Sequence, residues 1–163
     1  MDALGEARQR LERLFAHIQA PPHWLEEHFG DARIERVAVR RSSRRWTIAI
    51  HKETLLPRDV YEAFCALARE RLASVADVEI AFTFGEAAAA EDLLREYWPC
   101  FAAWAQREIA SVNGWLAKAR AEASGDLLTL YLPDETVLQL ARKRSVDELA
   151  VRFFRQRFGC VCR

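Results

Sequence analysis

Arg45-Trp46-Thr47-Ile48-Ala49-Ile50-His51-Lys52, followed by Leu55-Leu56-Pro57 and then Val60-Tyr61-Glu62-Ala63-Phe64, decides the fold of this chain. Trp46, Ile48 and Ile50 alternate with Thr47, Ala49 and His51, which is the period of a strand with one buried face. Leu56-Pro57 then stops it. Proline fixes φ near the helical value and lacks an N–H that a first helical turn leaves unpaired anyway, so a helix can begin at Pro57. The stretch therefore predicts a strand, a hinge and a covering helix.

Upstream, Leu4, Ala7, Leu11, Leu14, Phe15 and Ile18 recur at helical spacing and predict a first helix that ends before Pro21-Pro22. A short second helix is expected from His23 to Phe29. Gly30-Asp31 turns the chain into a strand, Ile34 to Val39, and Arg41-Ser42-Ser43-Arg44 offers the turn into the Trp46 strand. The result is a β-hairpin whose end is studded with arginines. Downstream, Val60, Tyr61, Phe64, Leu67, Ala68 and Leu72 mark a helix that leads into an alternating strand from Val78 to Phe84. The order helix-helix-strand-strand-helix-strand predicts a compact α+β module over residues 1–85, with helices on the apolar face of its sheet. Gly85 and the Ala-rich segment after it form the candidate boundary.

A second module is expected over residues 86–163. It opens with a helical segment carrying Leu93, Leu94, Tyr97, Trp98, Phe101, Trp104 and Ile109, with a bend at Pro99 and an interruption at Asn113-Gly114. Ser124-Gly125-Asp126 turns into a strand from Leu127 to Leu132, and Pro133-Asp134-Glu135 opens a helix to about Lys143. Ser145 and Glu148 have the spacing of a capping box at the start of a helix running from Val146 to Phe158 and stopped by Gly159. Cys160-Val161-Cys162-Arg163 would begin a further strand, completing a strand-helix-helix-strand unit within a larger protein.

A length of 163 residues with 51% hydrophobic side chains supports a buried core and excludes a disordered chain. Lys plus Arg and Asp plus Glu are 24 each, and the balance holds locally, 13 of each sign in residues 1–85 and 11 of each in residues 86–163. Any grip on nucleic acid must then come from a local patch, because no overall basic field exists. Cys65 and Cys100 sit in amphipathic helices, so a disulfide scaffold is not expected. Arg8, Arg10, Glu12 and Arg13 break every apolar run near the amino terminus, and no run approaches the roughly 18 apolar residues of a membrane span, which points to the cytoplasm.

No catalytic, metal or cofactor site is expected. Asp77-Val78-Glu79 has the spacing of a two-acid metal strand, but no second acid cluster follows, and the two acids alternate with Val78, Ile80 and Phe82 as a solvent face should. His17, His23, His28 and His51 do not fall at the i, i+4 spacing of a zinc helix, and Cys160 with Cys162 lacks two further ligands. Phosphate-cradling glycine loops and a nucleophile elbow are missing. Two basic clusters remain as binding candidates. The hairpin end gathers Arg40, Arg41, Arg44 and Arg45, with Arg36 and Lys52 on the strands and Trp46 at hand to stack a base; a solvated turn is the competing reading. Arg142, Lys143 and Arg144 lie between two helices. Among the aromatic residues, Trp98 sits a step away from the face shared by Tyr97, Phe101 and Trp104 and is the candidate for exposure at an interface.

Taken in order, these anchors resemble the N-terminal region of PolC-type DNA polymerase III alpha subunits, the replicative polymerases of Gram-positive bacteria. The anchors are Phe15-Ala16-His17-Ile18, Ile34-Glu35-Arg36-Val37, Trp46, Leu56-Pro57 with Val60-Tyr61 and Phe64, Val75 to Val78, Tyr97-Trp98-Pro99, Leu128 to Leu132 and Phe158-Gly159. The resemblance implies two small noncatalytic modules, the first similar to a truncated type II KH fold and to the polymerase-contacting end of the clamp-loader tau subunit, the second KH-like. It implies a role in DNA replication by contact with replisome proteins, tau or another, with single-stranded DNA as a second partner and no membrane. The family's polymerase and exonuclease acids have no counterpart here. The KH backbone clamp needs glycines, and none lies beside Arg142-Lys143-Arg144. A self-contained KH-like nucleic-acid-binding protein is the alternative reading.

Overall fold

A computed structural model of the protein describes residues 3–85, 89–109, 115–124 and 127–159, except for the side chains of Leu4, Trp115 and Ala117. Residues 86–88 of the Ala-rich segment after Gly85, Asn113-Gly114, Gly125-Asp126 and the Cys160–Arg163 strand expected above lie outside the described residues. The chain is mixed α+β and divides into two compact units, residues 1–88 and 89–163.

The first unit runs α1 (Ala3–Ile18), α2 (His23–Glu27), β1 (Arg33–Arg40), β2 (Arg45–Lys52), α3 (Arg58–Leu72) and β3 (Asp77–Phe84). Its sheet has the order β1-β2-β3, antiparallel between β1 and β2 and parallel between β2 and β3. The parallel pair requires the crossover that α3 supplies. Pro57 stands just before α3, extended at ψ 140, and its carbonyl accepts the Tyr61 N–H. The proline thus caps the helix where the sequence placed it one residue inside.

Ile48 and Ile50 on β2, with Val78, Ile80 and Phe82 on β3, turn to the helices and are buried. Leu11, Phe15 and Ile18 of α1 and Phe64, Ala68 and Leu72 of α3 meet them. Phe29, on the α2–β1 connection, is 4.9 Å from the Phe15 ring and 5.0 Å from Phe64, so this short connection is part of the core. α2 ends at Glu27 rather than Phe29, because the chain must swing Phe29 inward.

The alternation that buries Ile48 and Ile50 carries on to Lys52, which is only 1% exposed. A buried ammonium must be paired or lose its proton. Here its Nζ donates to the Asp31 carboxylate at 2.6 Å and to the His28 carbonyl, and it lies 5.6 Å from the centre of the Phe29 ring. Asp31 also accepts from the Thr54 N–H at 2.8 Å and hydroxyl at 2.7 Å. Arg8 secures the same connection from α1, donating to the carbonyls of Leu25, Phe29 and Ala32. Lys52, read from sequence as a surface cation beside the hairpin, is therefore a core residue.

The second unit contains α4 (Ala90–Glu108), α5 (Trp115–Lys118), β4 (Arg120–Ser124), β5 (Leu127–Tyr131), α6 (Glu135–Lys143) and α7 (Val146–Phe158). β4 pairs antiparallel with β5. The sequence reading assigned no strand to β4, because Arg120-Ala121-Glu122-Ala123-Ser124 has neither β-branched nor aromatic side chains and takes its strand from its partner. α4 runs on through Pro99. Its aromatic face packs on α7: Tyr97 stacks on Phe158 at 4.2 Å, and Phe101 lies 5.3 Å from Phe153. Trp98, expected at the surface, is buried against Phe154, and its indole N–H donates to the Leu116 carbonyl at 2.9 Å.

Asp134 caps α6 by accepting the Val137 N–H at 2.9 Å. The capping box expected at Ser145 and Glu148 does not form. Ser145 is left-handed, with φ 52, because only Arg144 and Ser145 join the two helices, and an N-cap hydroxyl needs extended backbone to reach back to the first turn. Gly159 ends α7 in the left-handed conformation at φ 62.

Burial pushes the Asp31 carboxyl up, but the hydrogen bonds from Lys52 and Thr54, with the Lys52 charge, outweigh it and hold its pKa at about 2, below the ordinary 3.8. Because the folded value is the lower one, the pair stabilises the first unit above pH 3.8, and that contribution is lost as pH falls through 2. The carboxylate is 28% exposed, which screens part of the gain. The loss between pH 5 and 2 is on the order of 1–2 kcal/mol. Carbon-detected NMR titration of the Asp31 carboxyl should show a midpoint near 2; one near the ordinary value would mean that the pair is not formed.

Candidate partner and nucleic-acid interface

The β1–β2 hairpin carries the arginines. A single 3₁₀ turn, Arg41–Ser43, joins the strands, and Arg44 closes it in the left-handed region at φ 53. Register settles which side chains share a face. Arg40 stands opposite Arg45, Ala38 opposite Thr47 and Arg36 opposite Ala49, while Asp77, Glu79 and Ala81 of β3 continue those rows. These residues form the face turned away from the helices. Ala38, Thr47, Ala49 and Ala81 with Glu79 make its floor and arginines its β1 margin. Near the hairpin end, Ala38, Val39, Arg40, Arg45, Thr47 and Glu79 line a shallow depression of about 290 Å³.

Like charges set directly opposite on neighbouring strands destabilise the pairing. Arg45 is relieved by Asp77 at 3.8 Å, whereas Arg36, Arg40 and Arg41 make no ion pair among the described residues. An anion arriving at this end would meet guanidiniums whose mutual repulsion it lowers. Arg44 has other work. Its Nη2 donates to the carbonyls of Ser74 at 2.9 Å and Val75 at 3.2 Å, and its own carbonyl accepts the Asp77 N–H at 2.8 Å. It ties the hairpin turn to the α3–β3 turn.

Trp46 does not join the arginines. It alternates onto the helix-side face, half-buried and opposite Val39, so a base stacked on it would lie on the other side of the sheet from Arg40 and Arg45. Beside it, Val37 and Val39 are 45% and 51% exposed, because the helices do not reach the outer half of β1. Lys52, buried at the opposite end of β2, leaves the patch altogether.

In the second unit, Arg142 and Lys143 occupy the last turn of α6 and Arg144 follows it, all three exposed. Cations there complement the carbonyl end of the helix, which accounts for them without a ligand. Among the described residues no three His, Cys, Asp or Glu side chains converge as a metal site. Asp77 and Glu79 sit on the solvent face of β3, as their alternation implied. No helix in the described residues is long and apolar enough to cross a membrane. Sequence reasoning missed the Lys52–Asp31 pair, although the spacing Trp46, Ile48, Ile50, Lys52 announced it.

Residues 10–82, which hold the whole hairpin and all but the last two residues of its sheet, match the family model described as DNA polymerase III polC-type N-terminus I. Those residues are similar to that family. The PolC-type similarity continues past this domain. The chain is 23% identical over 141 residues to the DNA polymerase III PolC-type of Halalkalibacterium halodurans, covering 86% of this chain and 10% of that protein. It is 25% identical over 137 residues to the corresponding protein of Oceanobacillus iheyensis, covering 84% and 10%. The chain thus spans about a tenth of the length of the PolC-type relatives it matches, and no solved structure gives a significant match.

The two central arginines of the hairpin should separate on mutation. Arg44→Ala is expected to lower stability by about 1 kcal/mol through loss of its bonds to the Ser74 and Val75 carbonyls. Arg41→Ala should stay within about 0.5 kcal/mol of the parent, as surface changes do. Urea unfolding of both variants checks this; equal effects would place Arg44 among the solvated side chains.

Proposed function

We propose that this chain is a noncatalytic interaction region of a PolC-type replicative polymerase, and that the arginine end of its first hairpin contacts anionic surface, namely replisome proteins and the single-stranded template. The observation that carries the reading is the pairing of Arg40 with Arg45 on the outer face of the sheet, with Arg36 and Arg41 beside them and Asp77 within ion-pair distance of Arg45. Guanidiniums that repel one another and lack partners favour phosphate or carboxylate ligands. The two rows nearest the hairpin end, Arg40-Arg45-Asp77 and Ala38-Thr47-Glu79, carry no aromatic ring. Contact with nucleic acid at this face is then through the backbone, salt-sensitive and indifferent to sequence.

The PolC-type relatives support a parent that is a DNA polymerase. The KH-like reading of both units, and the likeness of the first to the polymerase-contacting end of tau, come from the family resemblance, which the element order of the first unit suits. β5, α6 and α7 supply strand, helix and helix in the second unit, but the connection between the helices has no glycine clamp.

Arg40→Glu combined with Arg41→Glu replaces two guanidiniums that make no bond to the rest of the protein among the described residues. Fluorescence anisotropy with labelled oligothymidylate at low salt should show weak binding by the parent chain, lowered about tenfold or more in the double variant and lost as salt is raised. Equal titration curves for the two proteins would remove single-stranded DNA from the proposal and leave an acidic protein surface as the ligand.

A further inference from the structure

The helices of the first unit leave part of their own side of its sheet uncovered. Val37 stands opposite Ile48 and Val39 opposite Trp46 on that side, yet Val37 is 45% and Val39 51% exposed, whereas Ile48 is buried. Val75 is also 45% exposed, on the α3–β3 turn that Arg44 ties to the hairpin. In the described part of the first unit these three valines are the large apolar side chains left at the surface, and all lie in the hairpin half of the sheet or beside it. Trp46 fills the row between Val39 and Val78, half-buried, with an indole N–H that has no acceptor among the described residues. Isolated exposed valines are ordinary on any protein, but a cluster of them around a half-buried tryptophan marks a contact surface.

Shape and charge select the occupant. A strand added beside β1 would take up its backbone groups and leave Val37 and Val39 facing water, and Arg36 and Arg40 on that strand oppose such pairing. Burying the valines needs an element laid over them, in the layer that α1 and α3 already form. The stretch from Arg36 to Arg40 is ~13 Å long at ~3.3 Å per residue, which about nine residues of helix match at ~1.5 Å each. Within these 163 residues, the segments outside the described ones are at most five residues long, too short for that helix. Arg41 and Arg44 at the hairpin turn, and Arg69 and Arg71 in the last turn of α3, stand at the Val75 end of the face, with Glu70 between the last two. A two-fold pairing of this face with a second copy would bring the same cations together, which like-charge repulsion opposes. The complementary occupant is acidic and comes from another protein.

We infer that the face made by Val37, Val39 and Trp46 docks an amphipathic helix of a partner protein, apolar where it meets the valines and the indole ring and acidic where it reaches Arg41 and Arg44. Such a helix anchors through apolar side chains at i, i+3, i+4 and i+7, and Trp46 offers both a broad ring to pack on and an N–H for a carboxylate. The electrostatic half of this inference rests on the reading of the arginine end as an anion-binding surface; the apolar half does not.

The test uses the 163-residue chain and a fluorescein-labelled helical peptide with leucines at i, i+3, i+4 and i+7 and glutamates on both flanks. Anisotropy should show saturable binding, weakened about tenfold or more in the Val37→Ser, Val39→Ser double variant and weakened also by Arg41→Glu. The Trp46 indole signal in a proton–nitrogen correlation spectrum, assigned with Trp46→Phe, should shift as the peptide is added. A peptide of the same composition with its leucines spread evenly round the helix should fail to bind, and this arm needs no change to the protein. Absence of saturable binding would overturn the inference, as would equal binding of the two peptides or an unmoved Trp46 signal. Binding that the valine variant loses but Arg41→Glu leaves unchanged would uphold the docking face and overturn the anion-binding reading behind its acidic half. If the valine variant weakened oligothymidylate binding equally, the face would belong to nucleic acid and the inference would fall. A parent chain that sediments as a dimer, and as a monomer once the valines are replaced, would overturn it in favour of a second copy.

Discussion

The ion pair between Lys52 and Asp31 is the constraint on which the first unit depends. A charged side chain placed in line with Trp46, Ile48 and Ile50 is tolerable only if its partner arrives with it, and the partner comes from the connection between α2 and β1. The pair therefore fixes two things together. It locks the register of β2, since a slip of one residue would turn Lys52 to the outer face and Ile48 and Ile50 to water. It also closes the connection that delivers Phe29 to the aromatic core. Arg8 holds that connection from the other side, so carbonyls that α2 and its exit would leave unpaired are met by two cations.

Anchoring one end of the hairpin leaves the other end available. From Glu35 onwards β1 is exposed on both faces, and a bulge between Ile34 and Arg36 marks where it leaves the packed region. The arginines at the free end have different tasks. Arg44 holds the turn to the end of α3, Arg45 faces Asp77, and Arg36, Arg40 and Arg41 make no ion pair among the described residues. A patch that looked uniform in sequence is thus part scaffold and part surface, and the share proposed for a ligand lies on the β1 side.

Much of the first unit was legible in the sequence because period-2 and helical spacing coincide there with burial: Ile48, Ile50, Val78, Ile80, Phe82, Phe15 and Phe64 all go where their spacing sends them. Lys52 was misread because residue type was allowed to overrule that spacing. Trp98 was misread for the opposite reason. Its angular step from Tyr97 and Phe101 suggested water, but a helix in contact with both α7 and α5 buries more than one stripe. β4 carried no local signal at all, since alanine, glutamate and serine become a strand only through pairing with β5. The capping box failed on backbone geometry, which spacing alone does not encode. At the hairpin, the cluster of arginines was legible, but their separation from Trp46 to opposite faces needed the register.

A double-mutant cycle on Asp31 and Lys52, read by urea unfolding of the first unit, tests the central claim most directly. Asp31→Ala leaves a buried ammonium without its partner and should cost about 3–5 kcal/mol, whereas Lys52→Met leaves a carboxylate that water can reach and should cost less. Combining the two should recover much of the loss, with a coupling of about 2 kcal/mol or more. Costs that simply add, to within about 0.5 kcal/mol, would show that the two residues do not act as a pair and would contradict this account.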